Sequence, residues 1–240
     1  YGDIGCFSFF PTKNLGAAGD AGAIVTSDSN IAQTIRELAI HGMPKRYVHT
    51  QLGYNSRLDA IQAAVLNIKL PKLSGWVDKR TEIASIYNEL LADVIGLELP
   101  LINNKINSGH AWNQYVVRVI QFPSQEMNKI SCLKNTKIDK KSSPISRDLL
   151  KQKLQLRDIQ TIIYYPIPIH LQPAYKKLGY GLGSLPFTEQ LSNQVLSLPI
   201  YPEINLAQQD YVVASIKKLL KKLNPQELAS SMPSSNGLSV

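Results

Sequence analysis

Two short apolar runs joined by a loop of small residues constrain this chain more than any other feature. "IGCFSFF" (residues 4–10) and "AGAIVT" (21–26) flank "PTKNLGAAGD" (11–20). Both runs have strand length and are bounded by turn residues. Residues 4–10 are therefore predicted as a buried strand, and 21–26 as the strand that follows it. The loop carries one amine, Lys13, behind two aromatics and a proline and ahead of Gly16 and Gly19. Small residues there let a flat ligand approach the backbone. A lysine in water is protonated and does not attack carbonyls, and an apolar wall is one route to a reactive amine. Phe9, Phe10 and Pro11 are available as that wall. Ser8, at the end of the first strand, can offer a hydroxyl to a phosphate group. The plain alternative is a solvated lysine on a turn whose glycines serve only backbone geometry.

The remaining pattern is mixed α/β. Residues 27–42 read as a helix, with Ser or Asp to cap it and Gly42 to stop it. Residues 43–55 form an irregular connection. Residues 56–70 are an amphipathic helix closed by Pro71, and 73–94 a long helix. A break near Ser74–Gly75 is expected to lead into a second domain. Beyond it, 110–122 carries a strand, 147–156 a helix and 159–166 a strand. Residues 186–200 hold a helix followed by a buried turn, and 205–223 a terminal amphipathic helix. The lysine-rich stretch 123–146 lacks periodicity and is expected to be an inserted surface loop, and 226–240 a flexible tail. There is no internal repeat.

Composition narrows the function classes. Of 240 residues, 44% are hydrophobic and 18% charged, which suits a buried core. The net charge is +8, and much of the excess sits in "KNTKIDKK" (134–141) and "KKLLKK" (217–222). Neither run interleaves aromatics, so they read as solvated surface and no nucleic-acid partner is expected. Cys6 and Cys132 match no metal or redox spacing, and no metal site is expected. They fit a reducing, cytoplasmic setting. No window approaches the roughly 18 apolar residues of a membrane helix. The chain enters a strand almost at Tyr1 and is expected to be the downstream part of a longer protein.

The residues then become recognisable. "GDIGCFSFFPTKNLGAAGDAGAIVTSD" resembles the cofactor-lysine segment of the DegT/DnrJ/EryC1/StrS aminotransferases. "HGMPKRYVHTQLGYNSRLDAIQAAVL" (41–66) is similar to the family's second landmark. "AWNQYVVRV" (111–119), "TIIYYPIPIHLQPAY" (161–175), "LPFTEQLSNQVLSLPIYPEI" (185–204) and the closing helix follow in the family's order. The resemblance implies the fold type I architecture of pyridoxal 5'-phosphate enzymes. Residues 1–72 would be the end of the large mixed-sheet domain, and 73–225 the smaller C-terminal α/β domain. It implies transfer of an amino group, with L-glutamate as donor, to a keto-sugar nucleotide, in a homodimer with shared active sites. A few relatives carry histidine in place of the cofactor lysine and dehydrate instead; Lys13 points to amine transfer.

The same resemblance assigns residues. Lys13 would bond the cofactor and shuttle a proton between substrate carbon and cofactor as general base and acid. Ser8 would bond the cofactor phosphate. Asn55 would reach the phosphate of the neighbouring subunit, or serve as the N-cap of the helix after it. Arg57 would hold an anionic group of the substrate, or pair with a carboxylate such as Asp59. His170 is placed toward the sugar-nucleotide entrance, or is a packed residue. Tyr164 and Tyr165 would wall that cleft, or belong to the core. His41 and His49 are weaker candidates, and Asp20 is explained by a turn. The family's upstream segment, with the acidic residue at the pyridine nitrogen and the aromatic over the ring, is absent from these residues. The 240 residues alone are expected to bind cofactor poorly and turn over nothing. The alternative function is a truncated or non-catalytic ligand-binding relative.

Overall fold

The computed structural model describes residues 2–101, 109–120 and 145–220. The chain divides into two compact units, Tyr1–Lys79 and Arg80–Val240. Cys132, the expected tail at 226–240 and all of the expected insertion except Ile145 and Ser146 lie outside the described residues.

In the first unit, β1 (Gly5–Ser8) and β2 (Gly22–Val25) pair antiparallel, from Gly5 opposite Val25 to Ser8 opposite Gly22. The expectation of a buried strand at 4–10 is corrected. Phe7 is 55% exposed and Val25 53%, because a two-stranded ribbon has no second layer to cover its faces in this unit. Helix α1 (Ser29–Ala39) starts at Asp28, whose Oδ1 accepts the N–H groups of Asn30 (2.7 Å) and Ile31 (3.1 Å). It stops at Gly42, whose φ of +68° suits glycine and whose N–H donates to the Glu37 carbonyl at 2.8 Å.

Helix α2 (Ala60–Lys69) starts later than residue 56. Tyr54 N–H donates to Leu38 O at 2.7 Å and Ser56 N–H to Ala39 O at 2.9 Å, which holds that segment extended against the end of α1. Pro71 does not end the helical run. It sits in a 3-10 turn, Leu70–Lys72, that leads straight into α3 (Leu73–Leu91). Proline is tolerated in such a first turn, where its missing N–H has no helical partner. Ser74 and Gly75 lie inside α3, so the expected break there is absent. One glycine costs a helix about 1 kcal/mol, too little to divide a rod of 19 residues.

The second unit is built around a three-stranded antiparallel sheet. Its order is β3 (Leu97–Glu98), β4 (Tyr115–Val119), β5 (Val195–Leu198). Tyr115, Val117 and Val119 alternate inward with the period of a strand and are buried. They pack in one cluster with Tyr87 and Leu91 of α3, Leu150 and Leu154 of α4 (Arg147–Gln155) and Ile216 of α6 (Leu206–Leu220). Helix α5 (Pro186–Gln194) precedes β5. Two expectations change here. The end of 186–200 is the buried strand β5, not a turn. Residues 159–166 are no strand: only Ile162 bridges to Ser197, with N–O distances of 3.2 and 2.8 Å. Pro166 and Pro168, four and six residues past Ile162, have no N–H to extend a ladder. Among the described residues, no helix is long and apolar enough to cross a membrane.

Candidate active site

The turn that carries Lys13 is closed by its own backbone. Lys13 N–H donates to Phe10 O and Ala17 N–H to Phe9 O, both at 2.8 Å, and Phe9 N–H donates to Ala21 O at 2.9 Å. Gly16 is required here, since a Cβ would lie 2.4 Å from the Pro11 carbonyl oxygen. The amine therefore leaves a tightly folded base. Its side chain is half-buried, while Pro11 is exposed and Phe10 is 48% exposed. The apolar wall is thus open to solvent at Phe10 and Pro11.

Helix α2 grips the same loop. Gln62 Oε1 accepts the Ala18 N–H at 2.9 Å, and Lys69 Nζ donates to the Gly16 carbonyl. Leu66, on the same face of the helix, is buried between them in sequence. The Lys69 ammonium also lies 5.9 Å from the centre of the Trp76 ring. Neither Gln62 nor Lys69 was a sequence candidate. The available signal was their spacing on "AIQAAVLNIK", where they sit at i and i+7 of one helical stripe with Leu66 at i+4.

Ser8 closes β1 and is exposed. Its Oγ accepts the Phe10 N–H at 3.4 Å, which leaves the hydroxyl hydrogen for another acceptor. Asp20 is exposed just before β2. Asn55 and Arg57 are exposed and bonded to each other, Arg57 Nε donating to Asn55 Oδ1 at 3.0 Å. This corrects two alternatives. Asn55 is no helix cap, because it bridges to Ile40 and the cap position of α2 falls on Asp59. Arg57 bonds Asn55, and no Arg57–Asp59 ion pair is found among the described residues. With Oδ1 engaged, the amide NH2 of Asn55 remains as its donor end. His41 has a φ of +66°, and its carbonyl lies 2.9 Å from His49 Nδ1, so both histidines serve the connection between α1 and α2.

In the second unit, His170 is buried on a short 3-10 turn, Ile169–Leu171, with Nε2 3.0 Å from Glu189 Oε1. The Glu189 carboxylate also receives Gly183 N–H, at 3.0 and 2.9 Å to its two oxygens, and Leu185 N–H at 3.2 Å. These donors, the Gly183 N–H foremost and then His170, hold the Glu189 carboxyl below the usual carboxylate range. His170 meets the Tyr180 ring edge-on at 6.3 Å. Tyr165 is 67% exposed and edge-on to Tyr164 at 5.3 Å, so the core alternative for Tyr165 does not hold. Ser8, Lys13, Asn55 and Arg57 thus belong to the first unit, with Asp20, His41 and His49. Tyr165 and His170 belong to the second.

Comparison with known proteins places the chain. The model of the DegT/DnrJ/EryC1/StrS aminotransferase family matches residues 1–217. The chain is 38% identical over 221 residues to the pleiotropic regulatory protein of Geobacillus stearothermophilus, covering 92% of this chain and 52% of that protein. It is 35% identical over 221 residues to the dTDP-3-amino-3,4,6-trideoxy-alpha-D-glucose transaminase of Streptomyces venezuelae, covering 92% and 51%. The crystal structure of S. venezuelae DesV in complex with a ketimine intermediate matches with a TM-score of 0.76 at 35% identity, over 92% of this chain and 52% of that one. The chain spans about half the length of the relatives it matches. With nearly its whole described length matched, the chain belongs to the DegT/DnrJ/EryC1/StrS aminotransferase family.

Proposed function

We propose that this chain carries the cofactor lysine of a pyridoxal 5'-phosphate-dependent aminotransferase. Its reaction converts a keto-sugar nucleotide to the amino-sugar nucleotide, with L-glutamate as donor. One observation carries the reading: Lys13 stands on a turn locked by three backbone hydrogen bonds and by a glycine where a Cβ would collide with the Pro11 carbonyl. The donor set fits the cofactor: a primary amine for its aldehyde, the Ser8 hydroxyl and the Asn55 amide for its phosphate. The small-residue backbone at Gly16 and Ala17 keeps the base of the turn compact beside the amine.

Each side chain then has a defined task. Lys13 Nζ would hold the cofactor through its aldehyde, and as a free amine would take and return the proton at the substrate carbon as general base and acid. The Ser8 Oγ–H and the Asn55 NH2 would donate to phosphate oxygens. Arg57 orients the Asn55 amide through Oδ1. Tyr165 offers an exposed aromatic face to the substrate, and His170 supports that region from its buried position against Glu189. When bound, the pyridinium ring supplies an electron sink beside the reacting carbon.

A homodimer completes the proposal, with Asn55 serving the phosphate of the neighbouring subunit. Supporting this, Asn55 and Arg57 are exposed, and so are Ile61 (76%) and Ile68 (69%) on α2. The test is borohydride reduction in the presence of pyridoxal phosphate, followed by peptide mass spectrometry. Label concentrated on Lys13 is expected, and label on another lysine instead would overturn the assignment. The second reading, a ligand-binding relative without chemistry, is favoured by the similarity to the G. stearothermophilus pleiotropic regulatory protein. It predicts Lys13 labelling with no amino transfer to any keto-sugar nucleotide even when the family's upstream segment is supplied.

A further inference from the structure

The backbone bonds that close the Lys13 turn use the carbonyls of Phe9, Phe10 and Ala21 and the N–H groups of Phe9, Lys13 and Ala17. The Gly16 carbonyl and the Ala18 N–H are taken instead by α2, through Lys69 Nζ and Gln62 Oε1. The two contacts have opposite polarity, a cation facing a carbonyl and an amide oxygen facing an N–H. A slide of α2 by one residue would bring Ala63 and Leu70 to these places and lose both bonds. Each clamp is itself held. A Cβ on Gly19 would lie 3.1 Å from Gln62 Nε2, so the loop fits closely around the Gln62 amide. Lys69 is drawn toward the face of Trp76, and Leu66 is buried on the stripe they share.

We propose that Gln62 and Lys69 are positioning residues for Lys13. They fix the loop at Gly16 and Ala18, three and five residues beyond the amine, and so set where that amine emerges. The consequence for the site rests on the reading of Lys13 as the cofactor lysine, whereas the clamp itself does not.

Two measurements on the full chain test it: hydrogen exchange at the Ala18 amide, and the rate at which Lys13 is labelled by pyridoxal phosphate with borohydride, relative to the other lysines. Gln62→Ala is expected to speed Ala18 exchange by about threefold to tenfold, the value of one hydrogen bond, and to lower the relative labelling of Lys13. Gln62→Glu keeps the accepting oxygen and restores both. Lys69→Met is expected to lower Lys13 labelling, and Lys69→Arg, which keeps a cationic donor, to restore it. Circular dichroism identifies any variant that fails to fold, and the other pair then decides. Labelling of Lys13 unchanged in both truncations, or lowered without rescue by Glu or Arg, overturns the proposal. Label that avoids Lys13 in the unsubstituted chain overturns the functional reading instead, while the Ala18 exchange rates still decide the clamp.

Discussion

His170 Nε2 and Glu189 Oε1 lie 3.0 Å apart, and the same carboxylate gathers the backbone N–H groups of Gly183 and Leu185. One side chain thus ties down an exposed loop in which Gly179 (φ +81°) and Gly183 (φ +87°) hold left-handed conformations. Because these donors depress the Glu189 carboxyl, its stabilising contribution is complete above the ordinary carboxylate pKa and is lost as pH falls through the lower folded value. Limited proteolysis between residues 179 and 185 is expected to be slow at neutral pH and to accelerate only on strong acidification. In Glu189→Ala it is expected to be fast at neutral pH. Equal rates in the two chains at pH 7 would refute the tether.

Gly16 and Gly75 make a matched pair. A methyl group at Gly16 would collide with the Pro11 carbonyl, whereas one at Gly75 in α3 meets nothing within 4 Å. Gly16→Ala is expected to destabilise by about 1–3 kcal/mol through overpacking and to slow labelling of Lys13. Gly75→Ala is expected to stabilise by about 0.5–1 kcal/mol, since it removes backbone freedom from the unfolded chain at an open helical site. Thermal denaturation of both variants checks the signs.

Arg80 is a buried crosslink of the second unit. Its Nη1 donates to the carbonyls of Trp112 (3.0 Å) and Ile200 (2.9 Å) at 8% exposure. Burial lowers its pKa from the usual arginine value, opposed in part by the Glu203 carboxylate. Arg80→Met leaves both carbonyls without their donor and is expected to cost about 2–4 kcal/mol in urea denaturation. Arg80→Lys is expected to recover only part of this, because a single ammonium lacks the planar fork of donors.

Asn55→Ala is expected to reduce retention of pyridoxal phosphate by about tenfold or more, the loss of one hydrogen bond to a charged group, without preventing label from reaching Lys13. Equilibrium dialysis of the cofactor measures the first effect and peptide mapping the second. Undiminished retention would leave Asn55 with its bridge to Ile40 and its bond to Arg57.

Features decided by hydrogen bonds within a few residues were legible in the one-dimensional chain. Asp28 capping α1, Gly42 ending it, and the inward alternation of β4 follow from local backbone chemistry. The backbone bond that opens the Lys13 turn belongs to this class, since Lys13 N–H donates to Phe10 O three residues back. Features that require distant segments to meet were not legible. Gln62 reaches Ala18 across 44 residues, and His170 is buried against a carboxylate 19 residues away. The stretch 159–166 has the composition of a strand but is limited to one bridge by its neighbours and its prolines. Local propensity specifies what a segment can become, whereas the partner that satisfies its remaining donors and acceptors is chosen only when the chain closes on itself.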